Sequence, residues 1–187
     1  YHGIGMEVAA APRREKIMNP MQTVKRHFFA MRNGIIADTL RRAGSPYHII
    51  FGLNLPQLVE IAAVTPHSVE LSDALHANSS TRCSRLMAPM IHPVEAMTEE
   101  KAMQWMSDAL CAEEADILCH RLLRKLPFAS SLVSKALSPG SGDRLTYTGL
   151  RLLANLRAIG AAVPEIELEP YRNSSDPAVA ALANMME

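Results

Sequence analysis

Histidine, cysteine, carboxylate and guanidinium groups are the side chains through which this 187-residue chain could do chemistry, and their spacing narrows the options. Seven histidines (His2, His27, His48, His67, His76, His92 and His120) and three cysteines (Cys83, Cys111 and Cys119) are scattered singly. Zinc and similar ions need several ligands on one short framework, such as HExxH or paired CxxC, and neither occurs. Cys119 and His120 are neighbours, so on a helix they point apart and do not share an ion. No metal site is expected. A Walker loop, a GxGxxG turn and a GxSxG elbow are all missing from the sequence. Neither a nucleotide cofactor nor serine-hydrolase chemistry is expected, and no other cofactor is expected either.

The basic residues are distributed less evenly. Lys25, Arg26, Arg32, Arg41 and Arg42 share their interval with only one acid, Asp38. Arg82 and Arg85 follow a serine-rich helix start, and Arg121, Arg124 and Lys125 read as neighbours on one helix. Aligned on one face, such groups follow a phosphate backbone. The expected DNA-binding set is Arg41, Arg42, Arg82, Arg85, Arg121, Arg124 and Lys125. The alternative is a series of solvated outer faces.

Composition limits what can hold these groups. Nineteen Lys and Arg balance nineteen Asp and Glu, so a globally basic coat is excluded and any anion-binding surface must come from segregated charge. Hydrophobic residues make up 48% of the chain, enough for a sizeable core. Abundant Ala and Leu with 5% aromatics favours helix. No apolar run is long enough to span a membrane, and three unpaired cysteines suit a reducing compartment, so the expected location is cytoplasmic.

Residues 1–18 show no lasting periodicity and read as a leader or flexible arm, with 19–187 as a single helical-repeat domain. Asn19-Pro20 starts a helix whose inner positions are Val24, Phe28 and Met31. A second carries Ile35, Ile36, Thr39 and Leu40 inward and stops at Gly44. The connector from Tyr47 to Asn54 contains a His-Ile-Ile-Phe run that briefly mimics a strand. Leu58, Ile61 and Ala62, then Leu71, Ala74 and Leu75, mark the next two inner faces, with Ser68 as a cap. Cys83, Leu86, Met87, Met90 and Ile91 form an amphipathic stripe. Thr98 caps a helix with Met103, Met106, Ala109 and Leu110 inward. Ala115, Leu118, Leu122 and Leu126 predict one continuous helix up to Pro127. Shorter and longer helices follow over 128–138 and from Asp143 to Gly160, the latter with Leu145, Leu152, Leu156 and Ile159 inward. A weaker one covers 177–186. No stretch alternates with period two between hairpin turns. The pattern predicts an all-α fold, a HEAT- or armadillo-like α-solenoid of stacked antiparallel pairs (an α-α superhelix), with an irregular helical bundle as the competitor.

Four segments in order carry a family resemblance. They are Phe51-Gly-Leu-Asn-Leu-Pro-Gln-Leu-Val-Glu-Ile-Ala62, Thr81-Arg-Cys-Ser-Arg-Leu-Met-Ala88, Thr98-Glu-Glu-Lys-Ala-Met-Gln-Trp105, and Ala112-Glu-Glu-Ala-Asp116-Ile-Leu-Cys119 followed by Leu126-Pro-Phe-Ala129. Across about residues 46–130 the chain resembles the DNA alkylation repair family, the HEAT-like alkylpurine DNA glycosylases. The resemblance implies an α-solenoid whose concave face holds duplex DNA. It also implies a catalytic carboxylate at Asp116, because loss of a cationic alkylated purine leaves an oxocarbenium-like sugar that a carboxylate stabilises. The family sets an aromatic ring beside that carboxylate to hold the cationic base. Here Ala112 stands in the ring's place, Cys83 replaces an expected Glu, and Trp105 matches a packing position. Asp116 also fits a plainer role, an acid near a helix start complementing the dipole.

These observations together read as a DNA-binding HEAT-like protein of the alkylation repair family. It is expected to recognise damaged or alkylated duplex DNA through a basic concave face, with at most weak N-glycosylase activity. The alternative is a catalytically silent scaffold of the same fold that binds another protein.

Overall fold

The computed structural model describes residues 19–187. The arm expected over 1–18 lies outside the described residues. Eleven α-helices make up the described chain, and its only β pairing is a single bridge.

Local chemistry starts most of these helices. The Asn19 side chain accepts from Met21 N–H at 2.9 Å and opens α1 (Pro20–Ala30). Asn33 does the same for Ile35 and Ile36, both at 3.1 Å, at the start of α2 (Gly34–Arg42). Asn54 and Gln57 form a reciprocal capping box at α3 (Leu55–Ala63). Ser68 caps α4 (Val69–Ala77), and Thr98 caps α6 (Glu99–Asp108). Between these two lies α5 (Arg82–Ile91), buried from Arg82 through Pro89 and therefore central. The remaining helices are α7 (Ala112–Arg121), α8 (Ala129–Ala136), α9 (Asp143–Ala158), the single turn α10 (Glu169–Arg172) and α11 (Pro177–Met185).

Helices α3, α5, α7, α9 and α11 pack side by side in that order. On the other side α1 lies on α4, α4 on α5, and α6 and α8 on each other and on α9. One continuous apolar core runs through this stack, from Val24 and Phe28 to Leu182 and Ala183. The two-row arrangement is the expected all-α, HEAT-like solenoid stack. The His-Ile-Ile-Phe run makes a single parallel bridge, with Ile49 N–H on Ser80 O at 2.8 Å and Arg82 N–H on Ile49 O at 3.1 Å.

Three details correct the sequence expectation. The helix expected to run to Leu126 ends at Arg121, where Leu122 leaves helical geometry (φ −133°, ψ −60°), and a 3-10 turn over Leu123–Lys125 follows. Leu122 and Leu123 are both completely buried, and the break lets two consecutive side chains turn inward. Arg121, Arg124 and Lys125 therefore do not share one helix. Secondly, the inner face of α2 is formed by Ala37 with Leu40 packed beside it, while Ile35 and Thr39, expected inward, are exposed. Thirdly, Ala74 and Ile159, expected inward, are also exposed.

Candidate functional site

The N-terminal halves of α5, α7 and α9 lie side by side, and charged groups link each to the next. Arg82 donates from Nε to Glu113 Oε1 at 2.7 Å and from Nη2 to Oε2 at 3.0 Å, a bidentate pair. Its Nη1 donates to Leu53 O at 2.9 Å. One turn along, Arg85 Nε lies 2.9 Å from Glu114 Oε1, a charge contact without hydrogen-bond alignment, while Nη2 donates to Asp108 O at 2.9 Å. Glu114 Oε2 also accepts from Tyr47 Oη at 2.7 Å and from Leu110 N–H at 2.9 Å. Burial, and then the charge of Glu114, push the Tyr47 hydroxyl far above its ordinary pKa, so it stays a donor.

The next seam carries Asp116. Its Oδ1 accepts from Tyr147 Oη at 2.7 Å and lies 2.8 Å from Arg151 Nε. Arg151 Nη2 in turn donates to Tyr147 Oη at 3.2 Å. Burial first, and the Asp116 contact after it, push the Tyr147 hydroxyl up to about 12, offset in part by Arg151. Tyr147 and Arg151 are four residues apart on α9, the spacing that brings both side chains to one face. The carboxylate is thus oriented by one hydroxyl and partly neutralised by one cation.

Ala112 is exposed at the start of α7 and offers only a methyl group. It lines a cavity of about 150 Å³ with Ala115, Tyr147, Asp143, Arg144 and Asp176. The single tryptophan is elsewhere: Trp105 is buried on α6, stacked on His76 at 4.1 Å with His92 against its edge at 5.5 Å.

The expected basic residues divide into two groups. Arg82 and Arg85 stand inside the stack at 4% and 5% exposure rather than on a phosphate-facing surface, because α5 is central and Glu113 and Glu114 meet their guanidiniums. The others lie nearer the surface. Arg41 and Arg42 occupy the exposed last turn of α2, where Arg41 is 3.6 Å from Asp38. Ala37 seats α2 against Tyr47 and Ile50 with Leu110 and Cys111 beside them, next to the start of α7. Arg121 ends α7 and, five residues from Asp116, lies about 140° around the helix from it. Its Nε has no partner, and with Lys125, Val59, His67 and Met90 it lines a groove of about 190 Å³. Arg124 Nε donates to His120 O at 2.6 Å. Asp116 and the outlying basic groups therefore do not form one compact cluster.

Four partners escaped the sequence reading: Glu113, Glu114, Tyr147 and Arg151. The one signal the sequence carries for any of them is the four-residue spacing of Tyr147 and Arg151, which puts both on one helix face. Among the described residues, no group of three or more His, Cys, Asp or Glu is placed to hold a metal ion. Nor is any described helix long and apolar enough to cross a membrane.

No protein-family model matches this sequence, and no curated protein matches it. The fold does have a solved counterpart, described as a new family of proteins related to the HEAT-like repeat DNA glycosylases with affinity for branched DNA structures. The two share 15% identity with a TM-score of 0.70, over 88% of this chain and 72% of that one. The resemblance read from the four segments is thereby matched at the level of architecture, and this chain has the HEAT-like repeat fold of the glycosylase-related proteins.

Proposed function

We propose that this protein binds DNA, taking damaged, alkylated or branched duplexes through contacts to the phosphate backbone, and that it excises bases weakly or not at all. The observation that carries the reading is the state of Asp116. Its carboxylate already holds Arg151 and Tyr147, and the adjoining Ala112 supplies no aromatic face. A paired carboxylate repels phosphate less, so a DNA backbone can approach it. The same pairing leaves less negative field for an oxocarbenium sugar. Arg41, Arg42, Arg121, Arg124 and Lys125 supply the cations for the backbone. The solved counterpart, with its affinity for branched DNA, supports a nucleic-acid partner over a protein one. The working location is the cytoplasm, and the DNA is read without sequence preference.

Fluorescence anisotropy tests this with a labelled four-way junction, an alkylated duplex and an undamaged duplex. Phosphate contacts release counterions, so affinity should fall steeply between about 50 and 200 mM salt. Replacing Arg41, Arg42, Arg121 and Arg124 together with Glu should abolish binding. Affinity that survives this variant unchanged, or no binding at low salt, defeats the reading.

A further inference from the structure

The corner where α1 turns into α2 exposes two large apolar side chains, Phe29 at 57% and Ile35 at 81%. The core needs neither, since Phe28 and Ala37 face inward from the same helices. Lys25 and Arg26 precede Phe29 by four and three residues, which places them on its side of α1. Arg32 donates from Nη1 to Phe29 O at 2.8 Å and lays its guanidinium over the ring, 3.8 Å from the centroid. On α2, Arg42 follows Ile35 by seven residues and shares its face. Five exposed cations (Lys25, Arg26, Arg32, Arg41 and Arg42) are thus carried on α1, α2 and the turn between them, an interval with one carboxylate, Asp38, on a chain whose net charge is zero.

The corner is also held in shape. Asn33 N–H bonds Phe51 O at 2.7 Å while its side chain caps α2. Gly52, at φ +79°, packs so closely that an added Cβ would collide with Asn33 O. A groove of about 560 Å³ runs beside the apex, lined by Arg32, Asp38, Arg41 and Phe51.

We propose that this corner is a wedge that stacks Phe29 and Ile35 on the base pair laid bare at a DNA branch point, with the surrounding cations on the converging backbones. The proposal rests on the DNA-binding reading above and adds how a branch is told from a continuous duplex. A continuous duplex hides the faces of its base pairs, so an apolar apex reaches them only by first unstacking neighbouring pairs. A branch exposes one such face and brings several phosphate strands together around it. Apolar wedges and aromatic stacking platforms use this chemistry. An apolar protein partner fits less well, because docking would desolvate five cations without supplying anions.

The test compares a four-way junction with a closed dumbbell duplex, which has neither branch nor ends, by anisotropy in the same buffer. Both side chains are exposed, so the Phe29→Ser/Ile35→Ser variant should keep its circular dichroism spectrum. Its junction affinity should drop about ten-fold or more while dumbbell affinity stays unchanged. Phe29→Trp should retain the junction preference, and 2-aminopurine at the branch should lose fluorescence on binding the native protein. Equal losses on both substrates, or no loss on the junction, overturn the wedge and leave DNA binding standing. Phe29-dependent binding to phosphatidylserine vesicles, with junction affinity unaffected, overturns it in favour of a membrane surface. Failure of the native protein to bind either DNA removes the underlying reading and the wedge together.

Discussion

Asp116 on α7 and Arg151 on α9 meet at 2.8 Å, and one seam away Arg85 on α5 and Glu114 on α7 meet at 2.9 Å. The geometries are alike and the surroundings are not. The side chains of Asp116 and Arg151 are 40% and 29% exposed, whereas those of Glu114 and Arg85 are 5% and 4% exposed. Solvent screens the first pair, so it contributes at most about 1 kcal/mol to stability. The second pair is deprived of water, and removing either partner strands a charge in the core.

Glu114→Ala should therefore destabilise the fold by about 3–5 kcal/mol, because Arg85 keeps only the Asp108 carbonyl and Tyr47 exchanges its carboxylate acceptor for the weak Cys111 sulfur. Arg151→Ala should cost about 1 kcal/mol or less. Urea denaturation of the two variants side by side checks the contrast. Equal losses would mean that burial does not separate the two pairs.

Helix starts were legible in the sequence because a cap is a local event: Asn19, Ser68 and Thr98 each bond a backbone N–H two or three residues away. The fate of Arg82 and Arg85 was not legible. Their carboxylate partners lie on another helix about thirty residues later, and only the stacking of α5 on α7 brings them together. The break at Leu122 escaped for a similar reason. Ala115, Leu118, Leu122 and Leu126 fit one helical stripe, but burying Leu123 as well requires the chain to leave the helix. For the candidate site, Asp116 was visible through the motif order alone. Its two partners on α9 became meaningful only once α9 was seated against α7.

Acid should weaken the fold before the carboxylates titrate. Burial holds the His76 pKa below its usual value although Asp108 bonds its ring at 2.8 Å. Burial also lowers His92, with the nearby Lys101 acting in the same direction against a bond to Pro93 O. In the unfolded chain both titrate near 6.5, so the unfolded state binds more protons below that pH. Stability is fully present above about pH 6.5 and is lost as pH falls toward the depressed folded values. Urea midpoints between about pH 7.5 and 5.5 should decline for the native protein, and His76→Gln should flatten the decline. The window lies above the range of Glu99, whose bonds to Lys135 and Ser131 lower its pKa further.

The contact between α8 and α9 should resist even one added methyl. A Cβ at Gly149 would lie 2.8 Å from Ala136 Cβ and 3.1 Å from Leu137 Cδ2, inside a buried interface. Alanine favours a helix interior over glycine by about 1 kcal/mol, yet overpacking a filled core costs about 1–3 kcal/mol. Gly149→Ala should therefore lower the urea midpoint. A raised midpoint would show that α8 can move away freely.

Excision is the property in which this chain should differ most from a glycosylase that pairs its carboxylate with an aromatic ring. Ala112 gives a cationic base no π contact, and losing such a contact costs about 0.5–2 kcal/mol, up to roughly thirty-fold in rate. Without that ring the sugar is also held less firmly beside Asp116, and misplacement by about 1 Å can cost a further hundred-fold. Arg151 and Tyr147 withdraw part of the carboxylate's charge as well. The native protein should therefore release little or no 7-methylguanine or 3-methyladenine from alkylated duplex DNA, as measured by chromatography of freed bases. Ala112 is exposed beside a cavity of about 150 Å³, so an indole can enter there without displacing the core. Ala112→Trp should raise any residual release, and Asp116→Asn should remove it while leaving DNA affinity in place. Vigorous release by the native protein that survives Asp116→Asn would locate the chemistry at other residues and end the case for this carboxylate.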